Sequence, residues 1–327
     1  MDVFFTLDYE LFLGAASGSV EKCLVESGRR LSDIALSHGA HFTIFVDTTY
    51  LVRLKELAPE HDDLGKDYET VCAELEKLSA DGHDLQLHIH PQWAFSDYIA
   101  DSWNLDTKHY KLSDIDADTA HRLFGEGCEI IKILSGKAPV GFRAGGFSAQ
   151  PTDMLRELFI AHGLRIDSSV YPGNVYHSKQ QDYDYSESPM GRIYSFDDDI
   201  VKESPGRFLE LPLTVHKVSP MFYWRLVSQR LSRRQCHRRI GDGISVKTIK
   251  SSIFNRLVHR SNGFATIDES KISYLMTAYR EAKKRGDKVF CVIGHPKLAT
   301  EYSLRMFDKV LGRMAADGAV FRTLSQI

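Results

Sequence analysis

Long apolar runs are missing from this 327-residue sequence. No window approaches the roughly 18 consecutive apolar residues of a membrane-spanning helix, which argues against a transmembrane protein. The opening residues, Met1-Asp2-Val3-Phe4-Phe5-Thr6-Leu7-Asp8, carry no basic stretch, and Asp8 breaks the apolar run too early for a secretory signal. Cysteine is sparse: Cys23, Cys72, Cys128, Cys236 and Cys291 make an odd, scattered set of five without CxxC spacing. That pattern argues against a disulfide framework or a thiolate zinc site and, with the missing export signal, sets the expectation of a cytoplasmic protein. Neither sign of charge dominates; the formal net charge is -3, so no overall field favours nucleic acid or an anionic membrane. No Gly-x-Gly-x-x-Gly follows the first apolar run and no Walker loop occurs, which leaves nucleotide binding with little support.

What is present is an ordinary globular composition, 43% hydrophobic and 26% charged, and a repeated local pattern. An amphipathic helix is followed by Gly and then by a short β-branched or aromatic strand. LSDIALSHG precedes AHFTIFVD, ETVCAELEKLSADG precedes HDLQLHIH, DMLRELFIAHG precedes LRIDSSV, AYREAKKRG precedes DKVFCVIGH, and MAADG precedes AVFRTL. The glycines, Gly39, Gly82, Gly163, Gly286 and Gly318, suit the left-handed residue that closes a helix. Alternating helices and strands imply parallel pairing through right-handed crossovers. With Val3 to Leu7 and Val140 to Ala144 added, about seven parallel strands are expected, enough to curl into a barrel, although an open doubly wound sheet also fits. The whole chain, 1–327, reads as one such domain, with a loop or helical insertion at about 217–265.

In parallel α/β folds, functional side chains gather where the strands end. Gly82-His83-Asp84-Leu85-Gln86-Leu87-His88-Ile89-His90 alternates as a strand and ends in two imidazoles. Residues i and i+2 share one side of a strand, about 7 Å apart, so His88 and His90 can grip one metal ion, or each can simply bond a neighbouring carbonyl. Asp8 and Glu10 have the same relation at the end of the first strand. Other proposed strands end in Asp47, in Arg143-Ala144-Gly145-Gly146, near Asp167-Ser168-Ser169 and in Gly294-His295-Pro296. A carboxylate with two neutral imidazoles suits Zn²⁺ or a similar divalent ion and leaves positions open for water and substrate.

These residues resemble the NodB-homology polysaccharide deacetylases, carbohydrate esterase family 4. Phe5-Thr6-Leu7-Asp8-Tyr9-Glu10 resembles the first motif of that family, Gly82 to His90 the second, and Gly141-Phe142-Arg143-Ala144-Gly145-Gly146-Phe147 the third. Gly163-Leu164-Arg165-Ile166-Asp167-Ser168-Ser169 is similar to the following strand, and Val292-Ile293-Gly294-His295 to the final motif. The resemblance implies a distorted (β/α)7-type, TIM-like barrel. Two departures stand out: the motif-one acids are separated by Tyr9, making Glu10 the expected ligand, and the histidines stand two rather than four apart. The implied metal ligands are thus Glu10 and His88, joined by His90 on strand periodicity, for Zn²⁺ or alternatively Co²⁺, Mn²⁺ or Ni²⁺. By the same resemblance Asp8 is the base, His295 the acid, Arg143 the partner that keeps Asp8 ionised, and Asp167 a residue that orients His295 or lines the pocket. His83 is expected to pack in a turn.

Tyr171 to Asp199, rich in Tyr, Asp, Ser and Gly, reads as a long loop over the site that could offer sugar-stacking surfaces. Phe208 to His216 is expected to rejoin the barrel as a strand. A basic segment at 225–260 carries Arg230, Arg233, Arg234, His237, Arg238, Arg239, Lys247 and Lys250. It is either a solvated helical insertion or a patch for peripheral membrane contact, a phosphate-bearing glycan carrier or a partner. The resemblance implies a metal-dependent hydrolase that removes an N-acetyl group from a sugar, with an N-acetylated glycan as its partner, and the sequence resembles the intracellular lipopolysaccharide or O-antigen biosynthesis subgroup. The alternatives are an amidohydrolase acting on a small non-sugar amide and a carbohydrate-binding relative without turnover.

Overall fold

The computed structural model describes residues 1–231, 234–245 and 256–327. Its centre is a curled sheet of nine strands. These are β1 (Asp2–Tyr9), β2 (Thr43–Asp47), β3 (Asp84–Ile89), β4 (Gly141–Ala144), β5 (Ile166–Asp167), β6 (Tyr194–Phe196), β7 (Phe208–Glu210), β8 (Val289–Gly294) and β9 (Val320–Arg322). The order across the sheet is β6-β7-β5-β4-β3-β2-β1-β8, with β9 also on β1. β9 pairs with Asp2 to Phe4 and β2 with Thr6 to Tyr9, so two short strands share successive lengths of β1. All these pairings are parallel except β6 with β7.

The strands are buried on both faces, which is why they read as nearly continuous apolar runs. Val3 to Tyr9, Thr43 to Asp47 and Val289 to Gly294 are all buried. Helices α1 (Ser27–Ser37), α2 (Thr48–Leu57), α3 (Asp62–Ala80), α4 (Ala117–Ser135) and α5 (Thr152–His162) follow the strands in chain order. After them come α6 (Pro220–Leu231), α7 (Leu275–Arg285) and α8 (Glu301–Ala316). Asp116 and Thr300 cap α4 and α8 by accepting from the backbone N–H groups of Thr119 and Ser303, satisfying donors that a helix start leaves free. The predicted closing glycines carry positive φ; Gly163 (73°) and Gly286 (83°), for example, directly end α5 and α7.

The expected strand over Phe208 to His216 is only partly formed. Phe208–Glu210 is β7, and the chain then runs irregularly through Pro212, whose missing N–H cannot serve a ladder. This irregular stretch still does the work of closing the barrel. Leu213 N–H donates to Val170 O on one side, and Thr214 N–H reaches Cys291 O of β8 on the other, at 3.1 Å. Ala265 N–H donates to Thr214 O and Ile293 N–H to Ala265 O, which binds a further stretch to the far edge of β8. The open doubly wound alternative does not fit a sheet curled and bridged in this way.

Beyond Thr214 the chain leaves the sheet. Val215–Val218 pairs antiparallel with Ser261–Phe264, and α6 lies between them in sequence. Arg233, Lys247 and Lys250 of the basic segment lie outside the described residues. Tyr171 to Asp199 is not wholly a loop: it contains a small hairpin, Val175–His177 with Asp182–Asp184, and then β6.

Candidate metal centre

The pleat puts Asp8 and Glu10 at the carboxyl end of β1 and His88 and His90 at that of β3. Parallel register then aligns Asp47, His88 and Arg143 across β2, β3 and β4. Glu10, His88 and His90 form a buried cluster in which one ligand atom from each lies within 4.8 Å of the others. Glu10 Oε2 stands 3.5 Å from His88 Nε2 and touches His90 Nε2. The imidazole rings meet edge to face, with centroids 4.7 Å apart.

The donor chemistry fits a divalent ion. His88 Nδ1 lies 2.7 Å from Arg143 O, and a carbonyl can only accept, so the neutral ring carries its proton on Nδ1 and its lone pair on Nε2. That Nε2 and the Glu10 Oε2 facing it are buried without a hydrogen-bond partner among the described residues. Two adjacent orphaned acceptors are costly in a protein interior, and a cation between them removes the cost. His90 Nδ1 lies 3.4 Å from the Gln92 amide nitrogen, and its Nε2 points to the Glu10 carboxylate. Burial alone would push the Glu10 carboxyl up, but Lys297 and His90 outweigh it and hold the group well below the usual carboxylate range. Burial would likewise lower the His88 ring; the facing Glu10 carboxylate and the nearby Asp8 and Asp47 raise it instead.

Asp8 stands beside this cluster and is gripped by Arg143, whose Nη1 donates to Asp8 Oδ1 at 2.6 Å and to Thr6 Oγ1 at 2.8 Å. The rest of the guanidinium is satisfied by Ser168: Nε donates to its carbonyl at 2.8 Å and Nη2 to its Oγ at 2.9 Å. The group also lies 4.1 Å above the Phe45 ring. His295 Nε2 completes the constellation, 3.8 Å from Asp8 Oδ2 and 3.7 Å from Glu10 Oε1.

The residue that orients His295 is Asp268, not the expected Asp167. Asp268 Oδ2 accepts from His295 Nδ1 at 3.0 Å, and Oδ1 from the His295 backbone N–H at 2.9 Å. Burial lowers an imidazole; here Asp268, Asp8 and Glu10 outweigh it, and the His295 ring is raised. Asp167 is fully buried and turned elsewhere, accepting from the backbone N–H and hydroxyl of Ser169 and lying in register with Glu210. Sequence reasoning missed Asp268 because it belongs to an irregular stretch joined to β8 by one bridge, Thr266 to Ile293, rather than to a strand end. It also missed Lys297, whose Nζ donates to Glu10 Oε1 at 2.8 Å and to Leu11 O at 2.7 Å. Its only sequence signal is its place directly after His295-Pro296. His83 packs as expected: its Nε2 lies 2.7 Å from Ser32 Oγ, its Nδ1 accepts from Phe42 N–H, and burial pushes the ring down to about 4.

The cluster opens into a cleft of about 240 Å³ that Asp8, His295, Tyr110, Phe147 and Gln181 also line. Gln181 comes from the Val175–Asp184 hairpin and holds its place by donating to Gly146 O at 3.1 Å.

Fold and site together define a closed (β/α) barrel with a Glu-His-His cluster at the carboxyl ends of its strands. No family model matches the sequence, and no curated protein matches it. Solved structures do. The chain is similar to Puue allantoinase, with 13% identity over 99% of this chain and 88% of that one, at a TM-score of 0.50. It is also similar to a family 4 carbohydrate esterase from Streptomyces lividans, with 11% identity over 98% and 91% of the two chains and a TM-score of 0.43. For the Bc1960 peptidoglycan N-acetylglucosamine deacetylase the values are 12% identity, 99%, 86% and 0.42. At these identities the likeness establishes the fold, and the allantoinase match carries it; the barrel implied by the sequence motifs is the barrel found.

Proposed function

We propose that the protein is a metal-dependent hydrolase that removes an N-acetyl group from a sugar. One observation carries this reading: a buried Glu10-His88-His90 cluster shares a single cleft with an Arg143-paired carboxylate and an Asp268-paired imidazole. Glu10, His88 and His90 would hold the divalent ion, for which zinc is the first choice because two imidazoles and a carboxylate suit it. When bound, such an ion supplies Lewis acidity toward an acyl oxygen and toward water.

The remaining chemistry belongs to the chain. Asp8 faces the cleft with Oδ1 held by Arg143 and Oδ2 3.8 Å from His295 Nε2, the arrangement of a base that takes a proton from water attacking the acetyl carbon. His295, raised by its neighbours and held at both Nδ1 and the backbone by Asp268, gives its Nε2 proton to the departing amine. Lys297 anchors Glu10 Oε1, leaving Oε2, the oxygen beside His88 and His90, for the ion. Asp167 has no direct part in these steps.

The substrate is proposed to be an N-acetylated sugar of surface polysaccharide or lipopolysaccharide biosynthesis, and the protein to act in the cytoplasm. The motif resemblance supports the first statement. Five cysteines, all unpaired, and no described helix long and apolar enough to cross a membrane are compatible with the second. A second reading, hydrolysis of a small non-sugar amide, is retained because the structure whose likeness carries the fold is named an allantoinase. Metal analysis together with acetate release from a panel of N-acetyl sugars separates them. Acetate release that needs the metal and is lost in Asp8→Asn supports the proposal; bound metal without release from any sugar overturns it.

A further inference from the structure

The chain beyond Thr214 builds cavities that the proposed chemistry does not use. The hairpin Val215–Val218 with Ser261–Phe264 forms one side of a cavity of about 190 Å³ lined by Tyr171, Tyr223, Phe264 and Tyr274. Phe264 also lines the metal cleft, so the two spaces share a wall. A third cavity, about 280 Å³, links them from the other side: it shares Tyr223, Arg256 and Lys271 with the aromatic cavity, and Ser245 and Leu298 with the metal cleft.

Three features give this extension a definite chemistry. Its walls are aromatic faces, on which the C–H face of a sugar ring can stack. His216, 8% exposed and lining the cavity, has an Nδ1 with no hydrogen-bond partner among the described residues, and its ring is stacked on Tyr274 with centroids 5.1 Å apart. Arg256 and Lys271 line both outer cavities and have no carboxylate within ion-pair distance among the described residues. Arg239, in the linking cavity, shows the contrast, since it is neutralised by Glu269 at 2.6 Å. Lys271 Nζ instead lies 5.8 Å over the Phe264 ring, at the shared wall. Two cations that form no ion pair among the described residues, set between aromatic faces in a concave site, favour a ligand that is flat, polar and negatively charged.

We propose that this cleft is a subsite for a second, anionic unit of the substrate, a carboxylate-bearing or phosphate-bearing sugar, seated on the aromatic walls with its charge at Arg256 and Lys271. Its position beside the reacting group rests on the deacetylase reading; its capacity to bind an anion does not. The test is calorimetric titration of the metal-loaded full-length protein with three probes. They are N-acetylglucosamine 1-phosphate, a disaccharide of N-acetylglucosamine and glucuronate, and neutral diacetylchitobiose. At least one anionic probe is expected to bind about tenfold or more tightly than the neutral one, as charge-assisted contacts provide. Which probe it is identifies the anion as phosphate or carboxylate.

The advantage should shrink in Arg256→Gln and disappear in the Arg256→Gln/Lys271→Gln double variant, with bound metal unchanged in both. Equal binding of neutral and anionic probes, or a preference that survives in the double variant, overturns the subsite. Acetate release is recorded separately, so a charge-dependent binder that releases no acetate refutes the deacetylase reading and leaves the subsite standing.

Discussion

Replacing Arg143 with Leu tests the linchpin between the site and the barrel. Arg143 is wholly buried, and its partner Asp8 is 4% exposed. Two opposite charges about 4 Å apart at an effective dielectric near 20 attract by about 4 kcal/mol. The variant loses that attraction and leaves a buried carboxylate without its cation, a change that typically costs about 3–5 kcal/mol. It also removes donors to Thr6 Oγ1 and to the carbonyl and hydroxyl of Ser168, which adds to the cost rather than offsetting it. Arg143→Leu is therefore expected to lower unfolding free energy by about 3–5 kcal/mol in guanidinium titrations followed by circular dichroism and fluorescence together. Adding Asp8→Asn should recover about 1–3 kcal/mol, because the stranded charge is then gone. A loss below about 1 kcal/mol for the single variant, or no recovery in the double, refutes the view that Arg143 exists to carry the Asp8 charge.

Other outcomes follow from the same geometry. His88→Ala and His90→Ala should each reduce metal affinity by more than the 10–100-fold, roughly, that supporting residues cost. Competition with a chelator measures this, and full affinity in His90→Ala would remove it from the ligand set. Asp268→Asn should cut kcat by about 10²–10⁴-fold with little change in KM, whereas Asp167→Asn should leave the pH profile of turnover in place. Equal losses would contradict the assignment of Asp268 to His295. Burial and the neighbouring Asp167 charge push the Glu210 carboxyl well above its usual value. The folded state then holds a proton that the unfolded state gives up near pH 4.3, roughly, so this contribution to stability is present at low pH and fades as pH rises toward the folded value. Glu210→Gln should flatten the decline in the urea midpoint above pH 5 or so, and an unchanged slope would contradict the reading.

The legible part of the molecule was what short stretches of chain encode. Strand and helix alternation, closing glycines and doubly buried strands can be read from residue periodicity, because a parallel sheet buried on both faces leaves apolar runs that no surface element shares. The same period placed His88 with His90 and Asp8 with Glu10, since side-chain direction along a strand depends only on parity. The motif order added the pairing of Arg143 with Asp8. Less legible was the path after β7, where Pro212 disrupts pairing and the chain closes the barrel without a regular strand.

The sequence by itself determined a parallel α/β fold and which side chains share a strand end, because both follow from local patterning repeated along the chain; the barrel was what the family resemblance implied. Tertiary structure alone decided the partners of His295 and Glu10. Asp268 rather than Asp167 reaches His295, and Lys297 folds back 287 positions to Glu10. The aromatic cleft of Tyr171, Tyr223 and Phe264 likewise draws its walls from segments far apart in the chain. Such contacts depend on loop paths and close approach between separated segments, and no spacing in the sequence carries that information.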